Sequence, residues 1–209
     1  MSARASFGEG SLAFLELFQK RWQDGDMSET QTTITPGTSS STTTHTAHPP
    51  FRASATLGAH LQQQLVDLTD LHLQGKQAHW NVVGKNFRDL HLQLDEVVDT
   101  ARAFSDDVAE RMRALYVIPD ARAASVAAQT SLAEYPGLEV DTADTVDLIV
   151  AALYAVAGTA RRIHDDVDAE DPTSADLLHT ILERVEQLAW MIDAENRVAN
   201  SSAPQSLAV

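Results

Sequence analysis

Four long stretches of this chain repeat apolar side chains at helical spacing, and that periodicity constrains the fold more than any other feature of the sequence. From Thr56 to Val83, Leu57, Leu61, Leu65, Leu68, Leu71/His72, Gly75, Ala78/His79 and Val82 share one face, and Gly84 is placed to end the segment. From Phe87 to Leu115 the stripe is Leu90, Leu94, Val97/Val98, Ala101, Phe104, Val108 and Met112, with Pro119 beyond it. A third pattern starts near Thr142, runs through Leu148, Ala152, Ala155/Val156, Ala160 and Ile163, and fades by Glu170. Asp171-Pro172-Thr173-Ser174 opens the fourth, whose stripe is Leu177/Leu178, Ile181, Val185, Leu188 and Ile192. Between the second and third, residues 120–141 are Ala-rich and predict one short helix, ended by Tyr135-Pro136-Gly137. Each long pattern covers about 26–30 residues, or ~40 Å of helix. The connections run short, long, short, so two helical hairpins are joined by a crossover able to travel the length of a bundle. No β-type alternation punctuated by Gly and Pro competes. The predicted fold class is all-α, a four-helix bundle with a short helix in the long crossover.

The rest of the chain differs in kind. Thr30 to Pro50 reads TQTTITPGTSSSTTTHTAHPP, a tract too poor in large apolar groups to offset its conformational entropy. The expected organisation is a low-complexity N-terminal tail over residues 1–53, with a short amphipathic helix at 11–22, then the bundle over 54–199 and a second tail over 200–209. Met27 offers an alternative start that would set residues 1–26 apart. Of the formal charge of −15, residues 1–26 hold −1, residues 27–53 sum to zero, and −14 lies in the helical body and the C-terminal tail. An acidic chain argues against a bare nucleic-acid binder, which carries a basic footprint. The absence of cysteine excludes disulfides, thiolate metal sites and thiol nucleophiles. The longest apolar runs fall short of the ~20 residues of a membrane span, and Ser11–Phe18, interrupted by Glu16, is too short for a secretory signal. A cytoplasmic protein with no membrane partner is expected. Its eight histidines among many carboxylates direct attention to metal ions.

The polar groups of the second pattern are ordered. At about 100° per residue, His91, Asp95, Asp106 and Glu110 lie at roughly 0°, 40°, 60° and 100°, forming one stripe. His91 and Asp95 are one turn apart and can share an ion, as can Asp106 and Glu110. The midpoints of the two pairs are separated by 15 residues, or about 22 Å along the axis. A metal holds its ligands at ~2.0–2.6 Å, so one chain cannot bring both pairs to one ion. A two-fold axis near Thr100/Ala101 can, by laying the helix antiparallel to its copy and setting one pair against the other twice over. His79, near the end of the first pattern, is able to reach the same place, which gives two His and three carboxylates suited to Fe(II), Mn(II) or Zn(II). An ordinary solvated acidic face with an i,i+4 His–Asp pair fits the same stripe. His164/Asp168 has the same spacing and reads as such a pair.

The context of His79 adds a family resemblance. His79-Trp80-Asn81-Val-Val-Gly84-x-x-Phe87-x-x-x-His91-x-x-x-Asp95, followed by Asp106-x-x-x-Glu110-Arg111, resembles the signature of the Dps miniferritins, DNA-protection-during-starvation proteins of the ferritin-like superfamily, in their actinobacterial form. The likeness covers roughly residues 55–198, with fixed spacings across 33 residues. It implies a ferritin-like bundle, a twelve-subunit homo-oligomeric shell with 23 symmetry, and a ferroxidase centre at each two-fold interface. His79, His91 and Asp95 would come from one subunit, Asp106 and Glu110 from its neighbour. Trp80 matches the aromatic beside that centre, where the implied role is protection against stray radicals; core packing is the alternative from the residues alone. The implied activity is oxidation of Fe(II), preferably by hydrogen peroxide rather than oxygen, with storage of Fe(III) mineral in the shell and protection of DNA from oxidative damage. Larger ferritins use Glu-x-x-His pairs within one bundle, and no Glu-x-x-His occurs here. Asp171-Pro-Thr-Ser-Ala-Asp176 is similar to the segment that lines a three-fold iron-entry pore, which implies that role for Asp171 and Asp176. From the residues alone, the ordinary role of Asp171 is to cap the helix start and complement its dipole.

Two features depart from the family pattern or stand outside it. Members that grip DNA do so through Lys/Arg-rich tails, whereas residues 27–53 hold only Arg52 and nothing basic follows Arg197. The tail pair His45/His48 has no acidic partner nearby and reads as part of a polar tail, with transition-metal binding as the alternative. Two other function classes fit the helical pattern: a DNA-compacting nucleoid protein, disfavoured by the tail charge, and a helical bundle that binds metal without oxidising it. Binding through counterion release needs several Lys or Arg phosphate contacts. The purified full-length protein should therefore give no gel shift with duplex DNA at physiological salt, and a clear shift would overturn this.

Overall fold

A computed structural model of the chain describes residues 50–198; the helix expected at 11–22, the His45/His48 pair and the 200–209 tail lie outside them. Five helices follow the apolar periodicity: α1 (Ala55–Asn81), α2 (Phe87–Ala114), α3 (Ala123–Gln129), α4 (Thr142–Glu170) and α5 (Pro172–Asp193). α1 packs on α2 and α4, and α5 on α4 and α2. The crossover between α2 and α4 carries the short α3 and returns the chain to the end of the bundle where α1 finishes. There two dipeptides, β1 (Val82–Val83) and β2 (Val140–Asp141), pair in parallel with Val82 opposite Val140. This small ladder, unexpected from the sequence, takes up backbone groups left over at the end of α1. Gly84 does not terminate α1, which stops at Asn81; it turns the loop beyond β1 with φ +125°, where a Cβ would meet Thr142 Oγ1 at 3.1 Å. α5, at 22 residues, is shorter than the other long helices. Beyond it Asn196 turns back to bond Ala143 O and Asp147 Oδ1 of α4, both at 2.8 Å.

The expected stripes form the core. Leu57, Leu61, Leu65, Leu68 and Leu71 of α1 are buried against Leu90, Leu94, Val108 and Met112 of α2 and against the inner faces of α4 and α5. Each such side chain removed from water contributes roughly 1.5–3 kcal/mol. α1 and α2 approach closely because residue 75 is glycine: a Cβ there would stand 2.9 Å from Val98 Cγ2. α4 has the length and composition of a membrane span, contrary to the expectation that no segment approaches one, but more than half of its most apolar stretch is buried in the bundle. Its apolar character is that of a core helix.

Polar anchors hold the crossover in place. Asp67, fully buried in α1, accepts from Ser131 N (2.9 Å), Ser131 Oγ (2.8 Å), Thr159 Oγ1 (2.7 Å) and Gln63 Nε2 (3.0 Å). One carboxylate thereby ties α1, the crossover and α4 together. At the lower end, Ser54 caps α1 by accepting from Leu57 N at 3.1 Å, and its own N and Oγ donate to Glu170 at 2.7 and 2.6 Å.

Asp171 differs from both sequence readings. It is only 7% exposed, and its side chain makes no capping hydrogen bond to α5. Its oxygens instead accept from Arg111 Nη2 of α2 at 2.7 and 2.8 Å and from Ser174 Oγ at 2.5 Å. Pro172, with no N–H to satisfy, starts the helix without help from the carboxylate. Burial raises the Asp171 pKa, but the Ser174 hydroxyl and the Arg111 guanidinium together lower it further, and the net value lies below the ordinary 3.8. The carboxylate therefore stabilises the fold at every pH above that ordinary value, and the contribution is lost as pH falls through the lower folded value. Asp171→Ala strands the guanidinium and should cost about 2–4 kcal/mol in denaturant unfolding near neutrality; the gap from wild type should narrow in acid below the folded value.

Candidate metal centre

The end of α1 and the first turns of α2 bring two histidines face to face. The rings of His79 and His91 stack with centroids 3.6 Å apart and planes inclined by 25°. Each ring bonds the other residue's backbone: His79 Nδ1 lies 3.0 Å from His91 O, and His91 Nδ1 lies 3.0 Å from His79 O. A carbonyl only accepts, so both Nδ1 atoms carry the proton. In the neutral rings each Nε2 then carries a free lone pair, the state in which imidazole ligates a metal. Phe87, one turn before His91, packs its ring 5.1 Å from the His91 ring. Helix ends thus impose one tautomer on both residues before any ion arrives.

Asp95 joins them, its Oδ1 lying 3.2 Å from His79 Nδ1. The same oxygen takes the Lys76 ammonium at 2.5 Å. The Lys76 hydrogen bond, opposed by a smaller desolvation effect and helped by the Lys76 charge, holds the Asp95 pKa below the usual carboxylate value. Asp95 is therefore an anion already neutralised by a cation, and an incoming metal ion would take that cation's place. Lys76 escaped the sequence reading, although the i,i+3 spacing puts it on the face of His79.

Asp106 and Glu110 are exposed on α2 and make no hydrogen bond or ion pair among the described residues. The structure does not bring them to His79, His91 and Asp95 within the chain. Among the described residues, no three His, Asp or Glu side chains converge closely enough to hold a metal ion. Between the two groups runs an open groove lined by Leu65, Thr69, Arg102, Ala103, Asp106 and Ala109. Of Thr100 and Ala101, expected at a crossing point with a second copy, Ala101 is buried in its own core and Thr100 is half-buried. The small outward side chain there is Ala103.

Trp80 is 71% exposed, so it is not a core residue. Together with Leu73, Gln77 and Tyr135 it lines an open pocket between α1 and the crossover, immediately beside His79 in sequence. Asp176, in the second turn of α5, points to solvent and is separated in role from the inward Asp171.

The ferritin-like domain family matches residues 58–198, through all four long helices. DNA protection during starvation protein 2 of Deinococcus radiodurans is 35% identical over 173 residues, covering 76% of this chain and 70% of that one. The fine tangled pili major subunit of Haemophilus ducreyi is 37% identical over 135 residues, covering 64% and 71% of the two chains. Among solved structures, Dps from Microbacterium arborescens in the high iron form superposes with a TM-score of 0.62 at 33% identity, over 69% of this chain and 97% of that one. By its two-hairpin topology, the residues at the end of its first hairpin and its likeness to these proteins, this chain belongs to the Dps family of ferritin-like proteins.

Proposed function

We propose that this protein is a ferroxidase and iron-storage miniferritin, acting as a homo-oligomeric shell, a dodecamer as the family resemblance implies. The observation that carries the reading is the pair of half-sites on α2. Two histidines with their Nε2 lone pairs free, and the ionised Asp95, stand at one end of the helix. Asp106 and Glu110 stand unpaired among the described residues at the other, and a two-fold partner completes each half. The donor set of imidazole and carboxylate suits Fe(II). Its carboxylates favour the higher charge of Fe(III), so the site stabilises the product more than the substrate. Each of two Fe(II) ions gives up one electron. Hydrogen peroxide takes both and is reduced to water, and hydrolysis of Fe(III) to oxyhydroxide releases protons. Iron and peroxide are consumed together, which suppresses hydroxyl radicals and protects DNA chemically, in the cytoplasm, without a basic tail to hold it. Trp80, the sequence neighbour of His79, is exposed beside the crossover and would take the scavenging role that the family resemblance implies. The iron carried by the Microbacterium arborescens relative supports the same reading.

The test follows from the sharing of sites. A His91→Ala/Asp95→Ala variant and an Asp106→Ala/Glu110→Ala variant should each lose oxidation of Fe(II) by peroxide, read as growth of ferric absorbance. Shells reassembled from an equal mixture should recover about a quarter of wild-type activity, because half of the random pairs hold one intact site of two. No recovery on mixing, or full activity in either variant, would sink the intersubunit assignment.

For iron entry the surviving candidate is Asp176, since Asp171 is engaged by Arg111. Carboxylates gathered around a three-fold axis would focus the field on cations. Asp176→Asn should slow uptake of Fe(II) several-fold while leaving assembly intact, measured by stopped-flow absorbance; an unchanged rate removes the pore role.

A further inference from the structure

The hairpin of α4 and α5 carries a second histidine pair that the iron site does not use. His164 Nε2 and His179 Nε2 face each other at 2.7 Å, with ring centroids 4.6 Å apart. Each ring has a carboxylate on its other nitrogen: Asp165 Oδ1 lies 2.9 Å from His164 Nδ1, and Asp176 Oδ1 lies 3.8 Å from His179 Nδ1. His164 thus takes Asp165, not the Asp168 that its i,i+4 spacing suggested. We propose that His164 and His179 form a binding site for a borderline divalent transition metal of the Zn(II) class, separate from the ferroxidase candidate.

The tautomers follow from the partners. A carboxylate accepts, so His164 Nδ1 is protonated and its Nε2 lone pair points at His179. With no metal, His179 Nε2–H donates to that lone pair. A metal replaces this shared proton, which moves to His179 Nδ1 on the side facing Asp176. His164 then shows the carboxylate–histidine–metal arrangement that fixes orientation and raises ligand basicity, and His179 gains it if its exposed ring turns to close the 3.8 Å gap to Asp176. Two nitrogens at ~2.0–2.1 Å from one ion lie about 2.9–3.4 Å apart, so the pair opens by only a few tenths of an ångström. The His179 side chain is 59% exposed, leaving it free to turn and the remaining coordination positions open to water. Two imidazoles select Zn(II), Co(II), Ni(II) or Cu(II) over Mg(II) and Ca(II).

The site shares Asp176 with the proposed iron-entry route but no residue with the ferroxidase candidate, and its test keeps the two metal sites apart. Zn(II) titration by calorimetry, on the full chain carrying His91→Ala and Asp95→Ala, should still show binding at one site per chain. Adding His179→Ala should weaken that class at least about tenfold, and Asp165→Asn should weaken it about 10–100-fold. Co(II) should give visible absorption that His179→Ala abolishes. The comparison is repeated between wild type and His179→Ala alone, so that poor assembly of the silenced background does not hide the result. Zn(II) binding unchanged by both His164→Gln and His179→Ala, or no Zn(II) binding in folded background, would overturn the site.

Discussion

A straight helix keeps residues 15 positions apart at ~22 Å, and the outward face of α2 is organised by that rigidity. Histidines and a carboxylate gather at its first turns, where α1 ends, while two more carboxylates stand free toward its other end. No rotamer change in one chain closes that gap. Chemistry that needs both groups would therefore have to be divided between copies, each chain supplying a histidine half and an acidic half. The rest of the bundle serves to keep α2 at a fixed height and rotation.

Three contacts do this. Gly75 lets α1 lie close against Val98, which sets the spacing of the first hairpin. The reciprocal His79–His91 bonds, both 3.0 Å, register the end of α1 against the start of α2. At the far end, Arg111 reaches across to Asp171 and Ser174, locking α2 to the junction of α4 and α5. Buried Asp67 performs the same service for the crossover, which the ladder of Val82 with Val140 then fastens to the top of the bundle.

The acidity of the chain is divided by burial into different tasks. Asp67 and Asp171 are enclosed and spend their lone pairs on hydroxyls, amides and a guanidinium, so they hold the fold. Asp95 is half open and holds a lysine ammonium, a cation that can be exchanged. Asp106, Glu110 and Asp176 face solvent, where a carboxylate remains available to an ion. Carboxylates of one chain thereby either brace the fold or stay open to solvent, according to whether their lone pairs are already engaged.

Period and spacing alone determined the long helices, since an apolar stripe repeated over six or seven turns has only one face to bury; α1, α2, α4 and α5 fall within a few residues of their predicted bounds, whereas α3 ends at Gln129, short of the Tyr135-Pro136-Gly137 stop. The common stripe of His91, Asp95, Asp106 and Glu110 on α2 was equally legible, because helical geometry converts sequence separation directly into angle and height. The tertiary structure alone decided what distant segments do to one another. Nothing in the local sequence tells Asp171 that Arg111 lies opposite, tells Asp95 that Lys76 holds its oxygen, or tells Ala101 that its methyl group faces inward. The β1–β2 ladder joins residues almost sixty positions apart in pieces too short for any periodicity to register. The His164–His179 pair likewise exists only because the α4–α5 hairpin folds two exposed turns together. Local pattern fixes elements through rules of a few residues' range; partners across the bundle are chosen by packing, which no window of sequence contains.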